Sequence, residues 1–226
     1  MGTVTLTKHN RLFWLGRYME RAYAGITATR PLFEADTDGR EGDYADYCRR
    51  VGIPDTYKNT ADFVRRFYFD DNDPNSIASA LGYAYDNAIV LRETLSTDTL
   101  AYVQMAISAM ELAAASAAPG VELQWVLDDI MAFRGSCEET IEEESSRNII
   151  KTGASLERVD LCLRLGAPES TCAKEFGRLF NRLYKTALQP DRDRLNLLVD
   201  AVLDKTAPTP DAAVMVQALE GLFPGM

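Results

Sequence analysis

Two Glu-Arg pairs are the residues whose types and spacing could do chemistry. Glu20-Arg21 and Glu157-Arg158 each follow a glycine, Gly16 and Gly153, so that Gly-x-x-x-Glu-Arg occurs twice at one fixed offset. Arginine holds carboxylate and phosphate groups through two parallel N–H donors. The repeat indicates duplication or pseudo-symmetry. Two interpretations stay open: a core ion network that fixes helix register, or a ligand-binding cleft.

The first pair lies in a sequence with the periodicity of an amphipathic helix. At about 100° per residue, Glu20 falls beside the apolar positions, and Arg17 and Arg21 flank it. Gly16 inside the helix costs about 1 kcal/mol relative to alanine, which close approach of a second helix would offset. We therefore expect a central helix whose charged stripe is partly buried. Its expected partner is the second Glu-Arg pair, because buried charges need partners.

In the cleft interpretation, amide, hydroxyl and further cationic side chains join the pairs and could satisfy a peptide-like ligand. Ser76 is assigned no role as a nucleophile, since no His or Lys base is evident near it in the sequence. No catalytic residue is assigned. The predicted substrate-binding residues are Arg17, Glu20, Arg21, Asn75, Ser76, Asn87, Arg92, Glu157 and Arg158.

A rival motif also uses Glu157. Glu139-x-x-Glu142 and Glu157-x-x-Asp160 fit the pattern of all-α, Mg-dependent nucleotide pyrophosphohydrolases, whose carboxylates suit an oxygen-preferring ion. A continuous helix would hold Glu139 and Glu157 roughly 27 Å apart at 1.5 Å per residue. The motif therefore works only if the chain folds back near residues 145–148. The other interpretation of residues 138–144 is a solvated acidic helix face.

Composition excludes several classes of function. The 226 residues carry 34 acidic and 24 basic side chains, a formal charge of -10, and one histidine, His9. The charge argues against nucleic-acid and membrane partners, and a lone histidine excludes multi-histidine metal sites within the chain. The four cysteines lack Cys-x-x-Cys spacing, which indicates reduced thiols and a cytoplasmic protein. We expect no metal and no cofactor.

The elements that position these residues are predicted to be helices throughout. The first helix runs from residue 8 to residue 30, ends at Pro31, and is followed by a loop over 35–43. Asp73-Pro74 is predicted to open a helix reaching about residue 94, with Ser96 capping the next. Trp14, Trp125 and the other aromatic residues are assigned to the core. The remaining predicted helices cover about 44–50, 60–68, 97–117, 121–165 with a break, 170–188, 191–203 and 211–223.

No segment shows the alternation of a strand, so we predict an all-α fold. It is expected to be a single-domain helical bundle over residues 1–226, with pseudo-repeated Gly-x-x-x-Glu-Arg helices. The core of the bundle is placed at about 9–165 and the C-terminal helices at about 169–223.

The sequence at this point resembles the alpha-E domain family of bacterial all-helical proteins, named for a recurring Glu-Arg motif. Its opening motif matches Arg11-Leu-Phe-Trp-Leu-Gly-Arg-Tyr-Met-Glu-Arg-Ala22. Elements typical of the family then follow in order: Asp73-Pro-Asn-Ser-Ile77, Asn87-Ala88, Leu91-Arg-Glu93, Leu95-Ser96 and Glu157-Arg158. The resemblance spans roughly residues 9–165. Where the family usually has Ala-Arg-Glu-Asn-Ala-Arg, this chain has Ala84-Tyr-Asp-Asn-Ala-Ile89.

The resemblance implies a function that the residues alone do not. The family is encoded beside circularly permuted ATP-grasp ligases and related amide-bond enzymes. This implies an accessory or binding partner of an ATP-grasp-type ligase in bacterial peptide synthesis or modification, with a peptide or amino acid as substrate. One alternative is a catalytic helical domain that acts on a carboxylate or amide at the Glu-Arg site, and another is the Mg-dependent pyrophosphohydrolase. Homo-oligomerisation is left open.

Overall fold

The chain folds into a bundle of α-helices, and the part of it that the structure describes contains no strand. The computed structural model describes residues 2–203 and 210–226, with side chains described for 6–202 and 210–226. The helices are α1 (Gly2–Thr37), α2 (Tyr44–Val51), α3 (Thr60–Phe69), α4 (Ile77–Val90), α5 (Thr97–Ala115), α6 (Gly120–Thr140), α7 (Glu144–Arg164), α8 (Glu169–Leu183), α9 (Arg192–Leu203) and α10 (Ala212–Glu220). The predicted all-α class is confirmed. Within the described residues, no helix is both long enough and apolar enough to cross a membrane.

Helices α1 and α7 form the centre of the bundle and run in the same direction. Hydrogen-bonded pairs between them keep a nearly constant separation along the chain, 135 residues for Lys8 with Glu143 and 136 for Arg21 with Glu157. Such a constant separation is expected of parallel helices. The apolar stripe predicted for α1 is buried, with Leu12, Leu15 and Ala22 all at 0% exposure.

The other helices pack around this pair. Helix α4 runs antiparallel to α1, since Arg11 contacts Asn87 and Tyr18 contacts Tyr83. Helices α5 and α6 form an antiparallel hairpin, with the Thr99 hydroxyl within 2.7 Å of the Ser136 hydroxyl. Helix α8 returns along α7, and α10 contacts α7 and α9. The α1–α7 pair is therefore enclosed on several sides.

Several predicted features are wrong, and the first concerns the end of α1. Proline 31 does not end the first helix, because α1 continues to Thr37 with Pro31 inside it. Buried Ala35 and the contact of Phe33 with Tyr68 hold this last part of α1 against the core. Tertiary packing there outweighs the roughly 3 kcal/mol that proline costs in a helix. The predicted loop over 35–43 is correspondingly shorter.

The start of α4 and the environment of Trp125 also differ from the prediction. Ser76, and not Asp73, is the N-cap of α4, and its Oγ accepts a hydrogen bond from the backbone N–H of Ser79. Helix α4 ends at Val90, short of residue 94. Trp125 is 48% exposed on the outer face of α6 and does not belong to the core.

The remaining boundaries agree with the prediction to within a few residues, except that α1 begins at Gly2, before the predicted residue 8, and α8 ends at Leu183, before the predicted residue 188. Ser96 caps α5 as predicted, through its Oγ and the backbone N–H of Thr99. The break predicted somewhere in 121–165 falls between Thr140 and Glu144. Part of the proline-bearing turn predicted between the last two helices falls on 204–209, outside the described residues.

Candidate functional site

The two repeated glycines bring the backbones of α1 and α7 into contact. A Cβ atom placed on Gly16 would lie 2.0 Å from the carbonyl oxygen of Ile150, and one on Gly153 would lie 2.1 Å from that of Phe13. No real side chain fits at these distances. Phe13 and Ile150 are equivalent in the repeat, as are the glycines. The two contacts are therefore related by a local pseudo-two-fold axis, which the sequence repeat predicts.

On one side of this contact, the carboxylate of Glu157 binds two arginines of α1. Arg17 Nε lies 2.7 Å from Oε2, Arg21 Nε lies 2.7 Å from Oε1, and Arg21 Nη2 lies 3.2 Å from Oε2. The two guanidinium groups also lie over the rings of Trp14 and Tyr18. Both carboxylate oxygens thus accept hydrogen bonds from cationic groups that also make cation–π contacts.

On the other side, the carboxylate of Glu20 also binds two arginines. Arg158 Nε lies 2.9 Å from Oε1, and Arg134 Nη2 lies 2.7 Å from Oε2. The residue of α7 equivalent to Arg17 is Ala154. Its small side chain leaves room for Arg134, which reaches Glu20 from α6. Each buried glutamate therefore meets two arginines, although the second arginine comes from a different helix on each side.

These contacts determine the protonation of the buried groups. Glu157 and Glu20 are each 3% exposed. Burial alone would raise the pKa of Glu157, but the charges and hydrogen bonds of Arg17 and Arg21 outweigh it and lower the pKa below its usual value. Burial would likewise lower the pKa of Arg21, and the contact with Glu157 raises it instead. The Glu157–Arg21 ion pair is therefore ionised at neutral pH.

A first cavity of about 400 Å³ lies beside Glu157. Most of the predicted site residues on this side of the α1–α7 contact line it. Arg17, Arg21, Asn75, Ser76 and Glu157 line it. Three further residues of its wall were not among the predicted substrate-binding residues: Asp160, which the sequence suggested only as part of the magnesium motif, Arg164 and Glu220. The carboxylate of Glu157 is buried, whereas Arg17 and Arg21 border the cavity. These side chains therefore form an ion network and also line an opening.

Three ionic side chains complete the wall of the first cavity. Arg164 donates to the carboxylates of Asp160 and Glu220, at 2.9 Å and 2.6 Å. Burial raises the pKa of Asp160, although its hydrogen bond from Arg164 opposes the change. Asp160 and Arg164 follow Glu157 by three and seven residues. The same helical spacing drew Asp160 into the magnesium motif, and continued by one more turn it could have found Arg164.

A second, smaller cavity of about 120 Å³ lies on the opposite side of the α1–α7 contact. Glu20, Arg134, Arg158, Lys151 and Arg182 line it. The predicted residues thus divide between two cavities and do not share one cleft. Nothing in the sequence around Arg134 or Arg182 marks them as neighbours of Glu20, since both come from helices without the repeat.

Two predicted residues lie away from both cavities. Asn87 accepts a hydrogen bond from Arg11 and donates one to the backbone carbonyl of Tyr83, beside a separate surface depression. The Arg92 side chain is 73% exposed, and its ion-pair partner is the adjacent Glu93. The structure does not bring these two residues to the Glu-Arg pairs.

Asn75 and Ser76 reach the first cavity because of the turn that precedes α4. Asn75 donates to Asp73 Oδ1 from its backbone N–H and its side chain, at 2.9 Å and 3.2 Å. Ser76 accepts the capping hydrogen bond from Ser79, so its own O–H remains a donor for a neighbour. The turn that leads into α4 is therefore also part of the cavity wall.

The magnesium motif gains no support from the geometry. Glu139 and Glu142 are exposed near the break between α6 and α7, whereas the carboxylate of Glu157 is occupied by two arginines. Among the described residues, no group of three or more His, Cys, Asp or Glu side chains is placed to hold a metal ion.

Comparison with known protein families gives a match that covers most of the chain. The family model named Alpha-E, described as a predicted alpha-helical domain with a conserved ER motif, matches residues 9–205. The match includes both Glu-Arg pairs and extends beyond residue 165, where the resemblance in the sequence ended. Searches of curated proteins and of solved structures each found no match.

Proposed function

The chain belongs to the Alpha-E family, and from this premise we propose that it is a binding partner of an ATP-grasp-type amide ligase in bacterial peptide synthesis or modification. In this proposal the first cavity binds an amino acid or one end of a peptide. The association with such ligases is what the family resemblance implies. We place this activity in the cytoplasm, where a ligase has access to ATP.

The class of ligand is inferred from the charge pattern of the first cavity. Three arginines and three carboxylates line it, so its formal charge is zero although both signs are present: Arg17, Arg21, Arg164, Glu157, Asp160 and Glu220. A zwitterion matches this arrangement, because arginine N–H groups can bind its carboxylate while an acidic side chain binds its ammonium group. Asn75 and Ser76 supply polar groups for a peptide amide.

The protonation of Glu157 favours binding over catalysis. Its lowered pKa and its two arginine contacts make it a weak base whose oxygens are already occupied. Efficient general bases have a pKa near the working pH. Asp160 favours the catalytic alternative, because burial raises the pKa of its carboxyl and it lines the same cavity.

Calorimetric titration with L-alanyl-L-alanine tests the ligand. We expect binding that falls at least tenfold when the peptide carboxylate is replaced by a carboxamide, and again in Arg21→Gln. The matched control is Arg92→Gln, which removes an exposed arginine away from the cavity. Equal affinity for the free and the amidated peptide would overturn the zwitterion proposal.

The α5–α6 hairpin offers a surface for the ligase. Its outer face exposes Met105, Leu112 and Trp125, each about half exposed at 50%, 55% and 48%. Such a contiguous apolar face is typical of an interaction site. No Lys or Arg occurs from residue 93 to residue 133, whereas Asp128 and Asp129 border these apolar residues. The surface of the ligase that docks here should therefore combine apolar and basic side chains.

Co-purification with an ATP-grasp-type ligase from the same organism tests the partner. We expect the complex to be lost in Trp125→Asp. The matched control is Val90→Asp, which changes an exposed apolar residue on a different helix, α4, and should retain the complex. Absence of any complex, together with an unchanged rate of ligation when the chain is added, would remove the partner proposal. It would leave the binding of the dipeptide untouched, so the two parts can fail separately.

A further inference from the structure

The second cavity holds more positive charge than its partners neutralise. Four cations and one carboxylate line it: Arg134, Arg158, Arg182, Lys151 and Glu20. Glu138 pairs with Lys151, and Glu175 pairs with Arg158 and Arg178. Counting these neighbours, five cations face three carboxylates, a surplus of two positive charges. This surplus is local, since the whole chain has a formal charge of -10.

Arg182 is the source of the imbalance. Its Nη1 donates to the hydroxyl of Ser155 and to the backbone carbonyl of Lys151, and it makes no ion pair with any carboxylate in the described part of the chain. Burial, and then the charges of Arg158 and Arg178, lower its pKa. The charges of Glu175 and Glu20 oppose this change, but neither carboxylate pairs directly with Arg182. Burying a guanidinium without a direct ion pair is unfavourable, and an anion bound beside it would offset that cost.

The other arginines are already fixed in position. The carboxylate of Glu20 accepts hydrogen bonds from Arg134 and Arg158, which leaves each guanidinium with further N–H donors. Arg134 also lies over the ring of Tyr23, 4.2 Å from its centre. Donors held in place before binding lose little conformational entropy when a ligand arrives.

We propose that this second cavity binds a phosphate group, with Arg182 as its principal ligand and Arg134 and Arg158 beside it. A phosphate dianion matches the surplus of two positive charges, which a single carboxylate would not. The volume of about 120 Å³ holds several waters at roughly 10–15 Å³ each, enough for one phosphate group. The proposal is independent of the ligand proposed for the first cavity, which lies across the α1–α7 contact.

The test is titration of the full chain with inorganic phosphate and, in parallel, with ATP, at one ionic strength maintained with sodium chloride. We expect phosphate to bind to the wild type and to lose at least tenfold in affinity in Arg182→Gln. The matched control is Lys185→Gln, which removes a charge from an exposed residue just beyond α8. If ATP binds more tightly than phosphate and displaces it, the natural ligand of the second cavity is a nucleotide. If phosphate binds and ATP does not, the natural ligand is free phosphate.

Two outcomes would overturn the proposal. One is no binding of either phosphate or ATP by the wild type. The other is binding that survives Arg182→Gln but is lost in Arg21→Met, which would place the anion in the first cavity. Circular dichroism checks that Arg182→Gln folds. Arg182→Lys provides a second variant, since it keeps the charge, and an intermediate affinity is expected from the loss of the planar fork of donors.

Discussion

At the scale of single residues, each of the two buried glutamates is stabilised by a pair of arginines. Glu157 binds Arg17 and Arg21, which also border an open cavity, so the same contacts serve the fold and shape the proposed site. If either arginine left its position, the buried carboxylate of Glu157 would lose a charged partner. Ion pairing here therefore fixes the positions of the donors that a ligand would meet.

Replacing Glu157 by Gln is expected to destabilise the protein strongly. The change leaves Arg17 and Arg21 against a neutral amide, and breaking a buried ion pair costs about 3–5 kcal/mol. Urea denaturation measures the loss, with Glu139→Gln as the control for the same substitution at an exposed site, where a change within about 0.5 kcal/mol is expected. A loss below about 1 kcal/mol for Glu157→Gln would show that the network contributes little to stability.

The effect of Glu157→Gln should also depend on pH. A carboxyl whose pKa is lowered by folding contributes stability above its unfolded pKa of about 4.3, and this stability is lost as the pH falls through the folded pKa. The difference in unfolding free energy between wild type and Glu157→Gln should thus be largest at neutral pH and shrink in acid. Urea denaturation at several pH values checks this, and a constant difference down to pH 3 would contradict it.

At the scale of the elements, the contact between α1 and α7 depends on glycine at two equivalent positions. Gly16→Ala and Gly153→Ala should each destabilise the protein, because the new methyl group would overlap a backbone carbonyl of the facing helix. Overpacking of this kind costs about 1–3 kcal/mol and outweighs the gain of about 1 kcal/mol in helix propensity.

Two other helical glycines serve as controls for these substitutions. Apart from neighbouring atoms of its own helix, no atom lies within 4 Å of a Cβ placed on Gly135 or Gly177, so Gly135→Ala and Gly177→Ala should be neutral or stabilising. Thermal or urea unfolding of the four variants separates crowding from propensity. Equal effects at all four positions would mean that the close approach does not require glycine.

The same elements show what the sequence could and could not predict. The repeat predicted the α1–α7 pairing and the exchange of partners between the two Glu-Arg pairs, because equivalent positions in matched helices face each other. It could not show that Arg134 would reach Glu20, since that depends on where α6 packs. The predicted end of α1 at Pro31 is wrong for a similar reason. The local preference of proline favours ending a helix there, but the packing of Ala35 against the core extends it.

At the scale of the whole molecule, the C-terminal helices share the core of the preceding ones. The ring of Phe223 lies 5.1 Å from that of Phe13, and Arg164 of α7 pairs with Glu220 of α10. Phe176 of α8 is 1% exposed and belongs to the same cluster of buried residues as Leu12 of α1. The first cavity also takes part of its wall from Glu220. The helices after residue 165 are therefore needed both for the core and for the proposed site.

We expect the described helices to unfold in one cooperative transition because this core is continuous. The two tryptophans provide separate probes, with Trp14 on α1 and Trp125 on α6. Fluorescence of Trp14→Phe and Trp125→Phe should give the same urea midpoint as circular dichroism of each variant. Two distinct midpoints, or a fragment of residues 1–165 that unfolds cooperatively alone, would show that the C-terminal helices form a separate unit. The wall of the first cavity would then depend on how the two units associate, and dipeptide binding should weaken at the urea concentration of the earlier transition.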